Sequence, residues 1–176
     1  MNKKMSSLLR ITNQSFAKVY TRLPSLGRRL TEAFSTVQTK GVPWTPLRKP
    51  LSKCKVAIVT TAGVHHPDQP PFDMHDRKGD PSFRVIEVSR PVSDLMITHD
   101  YYDHSDADQD INIVFPIERL QELESEGVIG QVARFHYGFM GHILGRHIET
   151  LVHRSAPDVS RKLKADAIDV VLLTPG

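Results

Sequence analysis

The chain has 176 residues, 39% of them hydrophobic and 24% charged, with a single cysteine, Cys54. This is the composition of a soluble globular protein of one domain, or one domain with an appendage, rather than of a disordered chain. No apolar run approaches the ~20 residues of a bilayer span, and one cysteine excludes an internal disulfide or Cys-x-x-Cys pair and fits a reducing cytoplasm. The net charge of +3 is local: eight Lys or Arg and one acid, Glu32, fall in residues 1–40, which leaves the remainder slightly acidic. No nucleic-acid-binding signature accompanies it, so neither nucleic acid nor membrane is an expected partner.

Residues 1–41 read as a basic, variable segment. Leu8, Leu9, Ile11, Phe16 and Val19 have the spacing of a short amphipathic helix before Pro24, and Leu30, Phe34 and Val37 that of another. Such acid-poor starts resemble organelle transit peptides, though a lead-in is the plainer reading. Pro43, Pro46 and Pro50 exclude regular structure, which predicts an extended strap pinned by Trp44 and Leu47. Residues 56–59 (VAIV) are a continuous apolar run, the mark of a strand buried on both faces of a parallel sheet. The hydroxyl-rich turn that follows, Thr60-Thr61-Ala62-Gly63, lies where open α/β sheets place ligands, so Thr60 and Thr61 are candidate binding residues. His65, His66 and His75 read as exposed loop histidines rather than metal ligands.

Strands are predicted over 80–88 and 94–98. They lead into residues 99–112, where two histidines, two tyrosines, five aspartates and an asparagine are crowded together. That composition serves neither helix nor strand and reads as the wall of a polar site. Calcium is excluded there: after Asp106, Asp108 and Asp110, an EF-hand needs Gly where Ile111 stands and Glu where Ile117 stands. His99 and His104 are candidate acid or base groups, with His136 further on, while Tyr102, Asp106 and Tyr137 are candidate substrate contacts. A helix is predicted over 116–126, stopped by Gly127. The glycines Gly138 and Gly141, set among aromatics and histidines, permit close backbone approach to a ligand or to another loop. A helix over 155–164 and a buried strand over 168–173 complete a right-handed crossover. The expected fold is α/β, a Rossmann-like, mostly parallel sheet with flanking helices, incomplete at its C-terminal end.

Several segments together resemble the selenoprotein B subunits of the glycine, sarcosine, betaine and D-proline reductases. They are Pro43-Trp44-Thr45-Pro46-Leu47, VAIVTTAGVH (56–65), DQPPFD (68–73), GDPSFR (79–84), ITHDYYDHSDADQDIN (97–112), Val114-Phe115-Pro116, EGVIG (126–130), HYGFMG (136–141) and 170–175. The resemblance spans 42–176, the N-terminal part of such an α/β domain, and leaves 1–41 outside. It implies that the strand ending in Leu172-Leu173-Thr174-Pro175 runs into a Cys- or selenocysteine-x-x-Cys redox motif beyond Gly176, with a UGA codon there read as a stop. It further implies a reductive C–N cleavage. In that reaction a selenolate attacks carbon while the amine substrate is held on a pyruvoyl group of a partner subunit, and a selenenyl-sulfide or disulfide forms.

The expected function is therefore that of a cytoplasmic oxidoreductase of the amino-acid reductase type, working with other reductase subunits on a small amino acid or amine. The 176-residue fragment alone is expected to be inactive, with no cofactor bound in this chain. A truncated, non-catalytic paralogue acting as a binding subunit is the alternative. A metal-dependent hydrolase using His65, His99, His104 and Asp106 is a further one, although no tight ligand spacing supports a metal.

Overall fold

The first strand, β1 (Lys55–Thr60), is the axis of the sheet. Its apolar residues are covered on both faces, as the run VAIV requires: Val56, Ala57 and Ile58 are buried. In the computed structural model, which describes residues 11–15, 18 and 45–176, β1 pairs in parallel with three strands. These are β5 (Gln131–Val132) at its start, β6 (Phe135–Gly138) at its end, and β7 (Val170–Thr174) along most of its length. Val56 and Thr60 each have two partners, one of them always on β7. A strand has two edges, so β5 and β6 share one edge of β1 and β7 takes the other. The outer neighbour of β6 is β3 (Arg84–Glu87), which runs antiparallel to it. The architecture is thus mixed α/β with a mostly parallel sheet. A separate two-stranded antiparallel ribbon joins β2 (Val64–His65) to β4 (Met96–Ile97).

Between residues 45 and 176, three α-helices accompany these strands. α1 (Ile117–Ser125) buries Ile117 and Leu120 and ends before Gly127, whose φ of 72° is left-handed backbone that favours glycine. Its start is held from outside the helix, because Asn112 Oδ1 accepts from the Glu118 N–H at 3.1 Å. α2 (Arg146–Thr150) continues through a π-helical turn, Leu151–Ser155, into α3 (Ala156–Ala165). Against Val159 of α3 packs a cluster of Tyr137 and Phe139, joined by the half-buried Val59, Phe83, Val85, Leu151 and Leu163. This is the link that carries the chain from β6 over to β7. No described helix is long and apolar enough to cross a membrane.

The chain divides into two compact units, Met1–Arg48 with Asp100–Asp103, and Lys49–His99 with His104–Gly176. In the first, residues 11–15 are helical and Gln14 Nε2 donates to Asp100 Oδ1 at 3.0 Å. Trp44 and the remaining apolar positions of the expected N-terminal helices lie outside the described residues. Leu47 is 55% exposed, so it does not pin the strap as expected.

Candidate functional site

The carboxyl ends of β1, β6 and β7 meet on one edge of the sheet, and their hydroxyls and glycines fix that meeting. Thr60 Oγ1 donates to Val114 O at 3.0 Å and accepts from the Ala62 N–H, and Thr174 Oγ1 donates to the same Val114 carbonyl at 2.7 Å. Thr60 is fully buried, so its hydroxyl belongs to the scaffold. Thr61 N–H bonds Thr174 O, Phe139 N–H bonds Thr60 O, and Gly63 N–H bonds Phe139 O. An antiparallel bridge joins Ala62 to Met140. Gly176 rests against this turn, since a Cβ built on it would stand 2.4 Å from Ala62 Cα.

His99 reaches the same edge. Its ring is buried and its Nε2 accepts from the Gly141 N–H at 3.0 Å. A Cβ on Gly141 would stand 3.3 Å from Thr61 O and 3.5 Å from both Thr61 Oγ1 and His99 Nε2. Gly141 therefore brings Thr61 and His99 to one point, which is the close approach its sequence setting allows. Gly138 serves the neighbouring strand contact, its Cβ position lying 2.2 Å from Val64 O.

Each remaining candidate has its own surroundings. His136 is fully buried beneath β1, where its Nδ1 accepts from the Ile58 N–H at 2.8 Å and its Nε2 donates to Ala133 O at 2.9 Å. Burial pushes this imidazole down to about 4. The Tyr137 ring packs in the cluster under α3, edge-on to Phe83, and burial raises its hydroxyl, with Asp166 and Asp158 adding to the rise. Tyr102 belongs to the unit formed by Met1–Arg48 and Asp100–Asp103. His104 and Asp106 lie on a turn, 104–110, in which Asp108 N–H bonds His104 O and Asp110 N–H bonds Asp106 O. His104 Nδ1 pairs there with Asp108 Oδ2 at 2.8 Å.

This turn borders a cleft of ≈ 570 Å³ whose acidic wall is Asp108, Asp110 and Glu118 and whose apolar wall includes Leu95, Met96 and Ile97. Hydrogen bonds from the Asn112 side chain and backbone hold the Asp110 carboxyl below its ordinary range. The residues of the acidic loop divide between the two compact units. The loop's first residue, His99, bonds the Gly141 amide, Asp100 accepts from Gln14, Asp108 pairs with His104, and Asp110 accepts from Asn112.

Two histidines depart from the expectation of exposed loops. His65 and His66 are both buried, His65 within the β2–β4 ribbon and His66 directly after it. His65 spans His66 O and Thr98 Oγ1, both at 2.8 Å. His66 Nε2 accepts from the Glu87 N–H, while its Nδ1 has no hydrogen-bond partner among the described residues. Burial lowers the His66 pKa, with nearby Arg90 contributing. No group of three or more His, Cys, Asp or Glu is placed to hold a metal among the described residues.

Residues 27–176 match the family described as Glycine/sarcosine/betaine reductase selenoprotein B (GRDB). The chain is 41% identical over 133 residues to the D-proline reductase subunit gamma of Acetoanaerobium sticklandii, covering 76% of this chain and 53% of that protein. It is 31% identical over 137 residues to the glycine reductase complex component B subunit gamma of Carboxydothermus hydrogenoformans, covering 76% of this chain and 30% of that protein. The sarcosine reductase complex component B subunit beta of Peptoclostridium acidaminophilum gives the same identity and coverage. The chain spans about half the length of the first and less than a third of the other two. No solved structure matches it.

Proposed function

Because the chain belongs to the glycine/sarcosine/betaine reductase selenoprotein B family, we propose that it is the N-terminal portion of a reductase subunit that cleaves a carbon–nitrogen bond. The observation that carries this reading is the match over residues 27–176. Identity is 41% to the D-proline reductase subunit and 31% to the glycine and sarcosine subunits. That difference favours a cyclic secondary amine, D-proline, as substrate, with other reductase subunits as partners. The parallel strands β1, β6 and β7 fit a Rossmann-like arrangement in which ligands meet the carboxyl ends of the strands.

In this reading the reaction takes place at the edge formed by Thr61, His99 and Gly141, and Gly176 directs the following polypeptide past it. The fit is steric: only a residue without a side chain packs on Ala62 as Gly176 does. A selenocysteine or cysteine in that following polypeptide supplies a nucleophile with a low pKa, matched by a carbonyl group on a partner subunit. The Thr61 hydroxyl, half-buried at this edge, orients the substrate carboxylate. His104, held by Asp108, supplies the proton that the departing amine needs.

The test is to express the complete gene product with its complex subunits and a dithiol reductant, and to assay D-proline, glycine, sarcosine and betaine in parallel. Reductive ring opening of D-proline is expected, with two electrons from the dithiol. Absence of turnover on all four would refute the reading. Within an active complex, His104→Ala should lower turnover well over ~10-fold, and unchanged turnover would remove His104 from the mechanism.

A further inference from the structure

His99 and Gly141 form one unit of hydrogen-bonding logic at the sheet edge. A backbone amide can only donate, so the Gly141 N–H at 3.0 Å from His99 Nε2 requires a lone pair on that nitrogen. The proton of the neutral ring then sits on Nδ1. An imidazolium would carry protons on both nitrogens and would set the Nε2–H against the Gly141 N–H, two donors facing each other in a buried place. The donor is itself held firmly. Met140, next to it, is bridged to Ala62, and Phe139 N–H is bonded to Thr60 O, so the amide cannot swing away without disturbing the end of β6. Absence of a side chain at residue 141 is part of the device, because a Cβ there would press on Thr61 O at 3.3 Å and on His99 Nε2 at 3.5 Å.

Resting on the function proposed above, we infer that Gly141 is a positioning residue whose amide fixes His99 as the neutral Nδ1–H tautomer. His99 is then a hydrogen-bonding group at the sheet edge and not the source of the proton for the departing amine. A neutral imidazole that gave up its only proton would become an imidazolate, a far worse outcome than proton loss from a ring that starts charged. The two histidines that flank residues 100–103 thus separate in role. One is pinned by an amide, and the other is paired with the Asp108 carboxylate.

The tautomer is read directly by nitrogen NMR of the chain carrying ¹⁵N-labelled histidine and glycine, with His99→Gln used to assign the ring signals. An unprotonated Nε2, a protonated Nδ1 and a coupling across the hydrogen bond from Gly141 N to His99 Nε2 are expected. A proton on Nε2 near neutral pH would overturn the inference whatever the activity of the complex. In the active complex, His99→Gln retains an acceptor at the ε position but cannot release a proton. It should keep turnover within about tenfold of the native enzyme, while His99→Ala should lose more than that. Equal losses in the two variants would refute its assigned role, and equal losses well beyond tenfold would return His99 to the candidates for proton donor. If the native complex turns over none of the four substrates, the functional reading fails, and the tautomer measurement still decides the role of Gly141.

Discussion

His136 shows how a residue that reads as chemistry can be spent on architecture. β1 advances from Val56 to Val59 while its partner runs from Val132 to Tyr137, so the ladder between them is interrupted. The imidazole fills the interruption by taking the Ile58 N–H and giving its own proton to Ala133 O, with Phe115 packed edge-on against the ring. His136→Ala leaves a buried donor and acceptor unpaired beside a cavity, for an expected loss of about 3–5 kcal/mol in urea unfolding. The pH dependence has a definite sign. The folded-state value of about 4 lies below the unfolded reference of 6.5, so the unfolded chain binds more protons between the two. The stability due to the neutral ring is complete above pH ~6.5 and is lost as pH falls toward ~4, by about 3 kcal/mol in all. Urea midpoints measured across that range should fall for the native chain and fall less steeply for His136→Gln. Parallel slopes would show that this ring is not the titrating group.

Two of the segments that carry the family resemblance, 68–73 and 79–84, clamp each other. Arg84, at the start of β3, stacks over Phe72 with 4.4 Å between Cζ and the ring centre, and its Nε donates to Pro70 O at 2.7 Å. Its remaining nitrogens reach Pro71 O, Ser82 Oγ and Phe83 O. Asp80 sits 3.6 Å from the guanidinium. Burial opposes ionisation of Asp80, but hydrogen bonds from Ser82 and Asp73, with the charge of Arg84, hold its carboxyl below the ordinary value. Arg84→Ala should destabilise the fold by about 2–4 kcal/mol, because it strips a half-buried carboxylate and three carbonyls of one shared donor. Arg84→Lys should recover less than half of that in thermal melts, since a point charge cannot replace the planar fork. Full recovery by lysine would reduce the clamp to simple charge pairing. At this scale the sequence was legible wherever an element buries something. β1 showed as an apolar run, α1 as Ile117 and Leu120 ahead of Gly127, and α3 by its Pro157 start. The stretch from Arg146 to Ser155 gave no signal because neither α2 nor the π-turn buries a residue, which leaves no apolar stripe to read. The antiparallel direction of β3 was equally silent, since a strand's side chains alternate alike in either direction.

Across the whole molecule, the pieces of the site could be recognised one by one while their grouping could not. Thr61, His99 and Gly141 each stood out by residue type, but nearness in sequence offered no link from His99 to Gly141. Only the strand order brings Gly141, forty-two residues on, to the His99 ring. Among the described residues the same strand order leaves one surface uncovered. Parallel sheets are ordinarily buried on both faces, yet on β7 Leu172 is 37% and Leu173 is 72% exposed. Among the described residues β7 lies at the sheet's outer edge beside β1, and its five residues carry no charge, proline or bulge that would blunt strand-to-strand pairing. The 176-residue polypeptide should therefore self-associate through β7, giving sedimentation that grows heavier with concentration. Leu173→Lys should shift it to the monomer without altering the far-ultraviolet circular dichroism, because that side chain projects into solvent and a charge there opposes a second strand. A native chain that stays monomeric at high concentration would mean that some other part of the molecule already shields this edge.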